Sequence, residues 1–244
     1  VNEISFFAFI AGECADWRPY ARGRAGELKR QLVRAAVAAA DAVRAVDSRA
    51  RLLWCEPAIH VAPRTSSEAD AADAAGWNEA QYETFDMLAG RRDPELGGRP
   101  DLLDVVGANF YPHNQWLNRE GGSIPLGHYR WRPFSDMVAE TWERYGRPVV
   151  VSETGAEGCG RAAWLHYVAS EVEAARDGGV PVHGICLYPV FDYPGWDNGR
   201  PCPTGLFGYP DEAGRRPVHA RFARELRRWQ AEFEPARRPL QAAE

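Results

Sequence analysis

Short apolar runs alternate with longer amphipathic segments along most of the chain, and this alternation restricts the fold more than any other feature of the sequence. The predicted strands occupy residues 51–57, 102–112, 148–153 and 182–190. The predicted helices occupy residues 27–46, 78–90, 133–145, 161–179 and 217–232. The Ala-, Asp- and Ser-rich segment before residue 78 is predicted to be a loop. Because the strands are apolar throughout, the pattern indicates a parallel sheet covered by helices.

Two arrangements of such a sheet compete, an open doubly wound sheet and a closed barrel. An open sheet that binds a dinucleotide would carry a glycine-rich turn after its first strand, and neither GxGxxG nor GxxxxGK[ST] occurs here. Polar residues instead collect at the carboxyl ends of the predicted strands. They are Asn2, Glu3, Glu56, Asn109, Tyr111, Glu153 and Tyr188. Since barrel enzymes build their active sites on that face, the pattern favours a (β/α)₈ barrel.

The chain is too short to form a whole barrel with the observed spacing between predicted strand ends. Predicted strand ends at residues 3, 56, 111, 153 and 189 are on average about 46 residues apart, so eight units would need about 370 residues, whereas the chain has 244. We therefore expect the carboxyl-terminal part of a (β/α)₈ barrel, from the end of strand four to strand eight. Residues 1–232 would form this part of a single catalytic domain, and residues 233–244 a disordered tail.

Composition excludes several classes of function. The net charge of −5 argues against a nucleic-acid partner, and no apolar run reaches the roughly 18–20 residues that span a membrane. The five cysteines are scattered without a CxxC pair and the histidines lack metal-ligand spacing, so we expect no metal and no other cofactor. Reduced thiols suggest a bacterial cytoplasmic protein. The opening VNEI lacks an initiator Met, so we expect a preceding segment, and a signal peptide in it stays open.

Glu3 and Glu153 stand at two different strand ends and would face each other across the mouth of a barrel. Burying a carboxylate directly after PVVVS is costly unless it has a function or partners. Glycoside hydrolysis needs two such groups, one protonated to donate to the leaving oxygen and one ionised to attack the anomeric carbon or activate water. The pair therefore predicts a glycosidase.

Three motifs carry a resemblance to a known group of enzymes. Asn2-Glu3, the NFYP at 109–112 and the SETG at 152–155 resemble the clan of (β/α)₈ retaining glycoside hydrolases that includes the family 1 β-glucosidases and β-galactosidases. The resemblance implies that Glu3 is the acid/base and Glu153 the nucleophile. It also implies that Asn2 binds the sugar 2-hydroxyl and that Tyr111 orients Glu153.

The chain departs from family 1 at two places. It has Glu-Thr-Gly after the seventh strand, where that family has Glu-Asn-Gly, and CLYPVFDYPGWDNG at 186–199 in place of the usual Trp-Ser motif. The resemblance therefore points to the clan more than to the family, and the sugar that is bound stays open.

Four further residues are predicted to bind substrate. Asn109, Glu56 and Tyr188 lie at strand ends, and Trp196 lies in a loop where its ring could stack on a sugar. Glu56 is also the main rival for the acid. Each residue has a structural alternative: Tyr111 could be a core aromatic, and a strand-end glutamate could pair with one of the 28 arginines.

Two other functions remain open at this point. A barrel enzyme acting on a phosphorylated metabolite would use the glycine-rich segment TGAEGCGR at 154–161. A non-catalytic carbohydrate-binding protein or truncated remnant would keep the same residues without turnover. Ser152 lies outside any GxSxG motif, so a serine hydrolase is not indicated. The expected partner is a carbohydrate, and the sequence does not indicate an oligomeric state.

Overall fold

The computed structural model describes residues 1–119, 121–196 and 198–233. The strands are β1 (Leu53–Pro57), β2 (His60–Ala62), β3 (Val105–Asn109), β4 (Gln115–Leu117), β5 (Val149–Thr154), β6 (Val182–Leu187), β7 (Tyr193–Pro194) and β8 (Pro201–Cys202). The helices are α1 (Ile4–Gly12), α2 (Ala25–Val46), α3 (Glu68–Ala80), α4 (Glu83–Leu88), α5 (Phe134–Tyr145), α6 (Arg161–Asp177) and α7 (Ala220–Phe233). Residues 234–244 of the predicted tail lie outside the described part of the chain.

The main sheet has four parallel strands in the order β1-β3-β5-β6, which is also their order along the chain. Helices separate consecutive strands, as βα units require. The Glu3 amide donates to the Cys55 carbonyl at 3.0 Å, so residues 1–3 run beside β1 where a preceding strand would lie. The predicted parallel sheet of successive βα units is confirmed.

The helices differ from the prediction at three places, and one of them is the predicted helix at residues 78–90, which is divided between the end of α3 and the separate helix α4. Helix α1 follows Glu3 at once, in the segment ISFFAFIAG, whose apolar residues leave no polar face for a periodicity to reveal. Helix α3 occupies most of the predicted loop, and the Ser67 side chain caps it by accepting from the Asp70 amide. Its many alanines favour a helix although it lacks a strong apolar stripe.

One face of the sheet packs against the helices. Trp54, Val106, Val149 and Val151 are buried in this layer among side chains of the helices. The opposite, inner face carries Cys55, Gly107 and Ser152. A Cβ at Gly107 would lie 2.6 Å from Ser152 Oγ and 2.8 Å from Cys55 Sγ, so the glycine makes room for both side chains.

A β-bulge near the end of β5 decides where Glu153 points. Ala108 pairs with Val151, but Asn109 pairs with Glu153, so Ser152 is an extra residue on β5. Without the bulge, Ser152 and Glu153 would face opposite sides of the sheet. With it, both make hydrogen bonds to groups at the carboxyl end of β3.

The residue after Glu153 anchors the end of β5 to the helical layer. Thr154 is 1% exposed, donates to the Phe110 carbonyl at 2.7 Å and accepts from the Trp164 indole at 2.9 Å. Gly155 follows, and a Cβ there would lie 2.3 Å from the Tyr188 carbonyl oxygen, so only glycine fits. These contacts fix the position from which Glu153 projects.

Short two-stranded sheets, β2 with β4 and β7 with β8, order the loops beyond the main strands. Within residues 1–119, 121–196 and 198–233, every helix is too short or too polar to cross a membrane.

Candidate active site

Five of the predicted site residues form one hydrogen-bonded cluster at the carboxyl end of the sheet. Asn2 Nδ2 donates to Glu153 Oε1 at 2.9 Å, and the Tyr111 hydroxyl donates to Glu153 Oε2 at 2.8 Å. Asn109 Nδ2 donates to Glu3 Oε1 at 2.8 Å and lies 3.5 Å from Asn2 Oδ1. Both oxygens of Glu153 are therefore engaged by neutral donors, and the two glutamates are linked through the two asparagines.

The surroundings of Glu3 favour its protonated form. Burial raises its pKa, the hydrogen bond from Asn109 opposes this shift, and the negative charge of Glu153 adds to the rise. Glu153 instead accepts two hydrogen bonds from neutral donors. A carboxyl with a raised pKa beside a second carboxyl held in place by donors is the arrangement that acid-assisted nucleophilic displacement requires.

Asn109 is completely buried, and both ends of its amide are used. Its oxygen accepts from the Ser152 hydroxyl at 2.6 Å, which leaves its nitrogen directed at Glu3. Ser152 thus fixes the orientation of the amide that contacts Glu3. Ser152 was not predicted to be a site residue, and the only signal for such a role was its position immediately before Glu153 in SETG.

Two tyrosines border the carboxylates. Burial and the charge of Glu153 raise the pKa of Tyr111, and the same two causes raise the pKa of Tyr188. Both phenols therefore stay protonated and can donate at neutral pH. The His113 ring stacks on Tyr111 with centroids 5.8 Å apart and planes at 13°. This stacking holds the Tyr111 ring at the angle from which its hydroxyl reaches Glu153.

Glu56 does not join the cluster, although it too ends a strand. Its side chain shares the helical face of β1 with Trp54 and is 2% exposed. The Ser5 amide donates to both of its oxygens, at 3.2 and 3.0 Å, and the Thr84 hydroxyl is a further partner. Because side chains alternate along a strand, Glu56 points toward the helices and away from the inner face that carries Cys55. It therefore does not lie where the predicted role of sugar ligand or rival acid requires it.

Glu56 is expected to make the stability of the protein depend on pH. Burial raises the pKa of Glu56 to about 7, although the Ser5 and Thr84 hydrogen bonds and the charge of Lys29 lower it. Glu56 therefore stabilises the folded state most below pH 4.5, and this contribution is lost as the pH rises through 7. In Glu56→Gln we expect unfolding free energies similar to the natural protein at pH 5 and higher by up to about 3 kcal/mol at pH 8.

Urea unfolding of both proteins at several pH values measures this difference. Glu212→Gln, which removes an exposed carboxylate, is the control and should follow the natural protein throughout. Parallel pH profiles for Glu56→Gln and the natural protein would contradict the expectation.

Trp196 lies in the loop that contains β7 and is 63% exposed. Its ring is tilted against Trp17, with centroids 5.5 Å apart, and Trp17 also contacts Phe6 of α1. The contact joins the loop after α1 to the loop after β6. Trp17 is half-buried and was not predicted, because nothing in the segment CADWRPY marks it as a partner of Trp196.

The phosphate-site alternative depended on the arginine that ends TGAEGCGR. Arg161 is 8% exposed, donates to the Gly158 and Gly205 carbonyls at 2.8 and 2.6 Å, and lies 3.5 Å from Asp192. Its guanidinium is therefore committed within the protein. Glu157 of the same segment pairs with Arg200 at 2.6 Å. In the described part of the chain, no group of three or more His, Cys, Asp or Glu side chains is placed to hold a metal ion.

No protein-family model and no curated protein matches the sequence. Solved structures do match. A family 1 β-glucosidase from Thermotoga maritima superposes with a TM-score of 0.73 at 16% identity, over 92% of this chain and 61% of that one. The β-glucosidase from Thermotoga maritima in complex with glucoimidazole gives 0.74 at 16% identity, over 93% and 62%. The AHE enzyme from Alicyclobacillus herbarius gives 0.72 at 20% identity, over 95% and 63%.

The chain spans about three fifths of the length of these structures. At this level of identity the likeness concerns the fold, and it agrees with the four parallel strands and their intervening helices. The chain therefore folds as a part of a (β/α)₈ barrel, of the kind that family 1 β-glucosidases have.

Proposed function

We propose that this chain carries the catalytic carboxylates of a glycoside hydrolase that cleaves β-linked sugars with retention of configuration. The observation that carries the proposal is the cluster in which Asn2 and Tyr111 donate to Glu153 while Asn109 donates to Glu3. Two carboxyls with different surroundings, joined at the carboxyl end of one sheet, suit this chemistry better than a single buried charge would.

In the first step Glu153 attacks the anomeric carbon as the bond to the leaving oxygen breaks, and Glu3 gives its proton to that oxygen. The products are the free alcohol and a glycosyl ester of Glu153. In the second step the Glu3 carboxylate takes a proton from water, the resulting hydroxide attacks the anomeric carbon, and Glu153 is released. Two inversions leave the sugar with its original configuration.

The sugar is proposed to be a β-glucoside or β-galactoside. Solved structures with this fold hold glucoimidazole and isofagomine lactam, which resemble a glucose ring in size. In this chain Asn2 is exposed beside Glu153 and can bind a hydroxyl of the sugar. Tyr188 and the exposed Trp196 are proposed to line the same site, since an aromatic ring can pack on the C–H groups of a pyranose.

A mechanism-based label tests the proposal without requiring fast turnover. A 2-fluoro-β-glucoside or 2-fluoro-β-galactoside with a dinitrophenyl leaving group should react once, because fluorine slows hydrolysis of the covalent intermediate through its oxocarbenium-like transition state. We expect a mass increase of one fluorosugar, located by peptide mapping on Glu153. In parallel, proton NMR of a hydrolysed aryl β-glycoside should show the β-anomer first.

Glu157→Gln is the matched control, because this exposed glutamate lies four residues after Glu153 in the same loop and pairs with Arg200. It should be labelled like the natural protein. A label on any other residue, or the α-anomer as first product, would contradict the retaining mechanism. No reaction with either sugar would contradict the proposed substrate.

A further inference from the structure

Glu3 occupies the residue that precedes α1, where a side chain would normally cap the helix. An N-cap side chain accepts a hydrogen bond from the second or third amide of its helix, since these amides have no partner within the helix. Glu3 makes no such bond. Its carboxyl is instead engaged by Asn109 in the cluster described above. The first turn of α1 must therefore be capped by another group.

Glu56 supplies that cap from the neighbouring strand. Ser5 is the second residue of α1, and its amide donates to both oxygens of Glu56, at 3.2 and 3.0 Å. The Ser5 hydroxyl lies 2.8 Å from the Thr84 hydroxyl of α4, which holds the same turn from the other side. The bond from the Ser5 amide to Glu56 is the one that an N-cap side chain would accept.

The backbone of Glu3 needs such support. Its φ of 48° and ψ of 58° lie in the left-handed region, which is uncommon for a residue with a long side chain and is retained only where the surroundings impose it. On one side, its amide donates to the Cys55 carbonyl at 3.0 Å. Two residues later, Ser5 is held by Glu56. Consecutive residues of β1 thus fix the chain on both sides of the Glu3 side chain.

We propose that Glu56 is a positioning residue that caps α1 in place of Glu3 and thereby keeps the Glu3 carboxyl in the active site. This inference rests on the proposed function, in which Glu3 is the acid/base. When Glu56 no longer accepts from Ser5, the Glu3 carboxyl is the acceptor that the N-cap position itself offers to the free amides of α1. It then rotates toward its own helix and leaves Asn109.

The variants Glu56→Gln and Glu56→Leu test the proposal, since they are similar in size and only glutamine keeps an oxygen that can accept from Ser5. Hydrolysis is compared for two aryl glycosides, one with a good leaving group (dinitrophenyl) that needs no proton and one with a poor leaving group that does. In Glu56→Leu we expect kcat/KM to fall about tenfold or more for the poor leaving group and only a few-fold for the good one. Glu56→Gln should keep both rates within a few-fold.

A second readout does not depend on turnover. The side-chain amide resonances of Asn109, assigned with Asn109→Asp, should shift in Glu56→Leu and stay in place in Glu56→Gln, because Asn109 loses its Glu3 partner only in the former. Should Glu56→Leu fail to fold, Glu56→Asp takes its place, since its carboxylate is one methylene too short to reach the Ser5 amide.

Equal losses for both leaving groups, or an unchanged Asn109 amide in a folded Glu56→Leu or Glu56→Asp protein, would overturn the positioning role. The two proposals fail in different ways. If no glycoside is hydrolysed but the Asn109 amide shifts as expected, the proposed function is wrong and Glu56 still holds the Glu3 side chain.

Discussion

Glu153→Gln is expected to lower kcat by about 10⁴-fold or more for every glycoside that the protein cleaves, because an amide cannot form the covalent glycosyl ester. The variant should remain folded. Glutamine has nearly the same shape as glutamate, its oxygen can still accept from Tyr111 or Asn2, and Thr154 continues to anchor the end of β5. Initial rates with a dinitrophenyl glycoside, together with circular dichroism and thermal unfolding, measure both expectations.

Glu157→Gln again serves as the control for the loss of one carboxylate from this loop, and its kcat should stay within a few-fold of the natural value. The 2-fluoro label should be absent from Glu153→Gln. A folded Glu153→Gln protein that retains more than a few per cent of the natural kcat would remove Glu153 from the role of nucleophile.

The regular part of the fold could be predicted because it depends on local pattern. The strands β1, β3, β5 and β6 are short apolar runs, and the helices α2 and α5 have strong apolar stripes. Each of these elements can therefore be predicted from a short stretch of sequence. Helix α1 has no such contrast, since its sequence ISFFAFIAG is apolar around its whole surface. What makes it a helix is its packing against α2 and β1, which no local window contains.

The candidate site was predictable in its residues but not in its geometry. Position at a strand end indicates the edge of the sheet on which a side chain lies, but not the face. Glu56 is two residues from Trp54 and shares its buried face, so alternation alone would have placed it against the helices. The position of Glu153 needed the bulge at Ser152, which arises from the pairing of β3 with β5 and has no sequence signature of its own.

The connections between the site residues depend on contacts between distant parts of the chain. Asn109 meets Glu3 across 106 positions and Ser152 across 43, and both bonds depend on the order of strands in the sheet. Gly107 is an indirect sign in the sequence of these contacts between distant parts of the chain. A glycine within a buried strand is unfavourable for the strand itself, and it is explained by the Ser152 and Cys55 side chains and the Trp54 carbonyl, which a Cβ at this position would meet.

Glu3→Gln is expected to separate substrates by their leaving groups. Glutamine cannot donate a proton to the leaving oxygen, so kcat/KM for a glycoside with a poor leaving group should fall by about 10²–10⁴-fold. For a dinitrophenyl glycoside, which leaves without protonation, kcat/KM should change little. Its kcat should fall nevertheless, because water now has no base in the second step. Azide needs no base, so it should restore kcat and give a β-glycosyl azide as product.

The pH dependence provides an independent measure of the same role. In the natural protein kcat/KM for the poor leaving group should decrease as the pH rises through the pKa of Glu3, which burial and the charge of Glu153 raise above 4.5. Glu3→Gln has no proton to lose at this position, so that alkaline decrease should disappear. Asn109→Ala removes the bond that opposes the shift, so it should move the decrease to higher pH. Equal losses for both leaving groups in Glu3→Gln, or an alkaline limb that persists in it, would show that another residue is the acid.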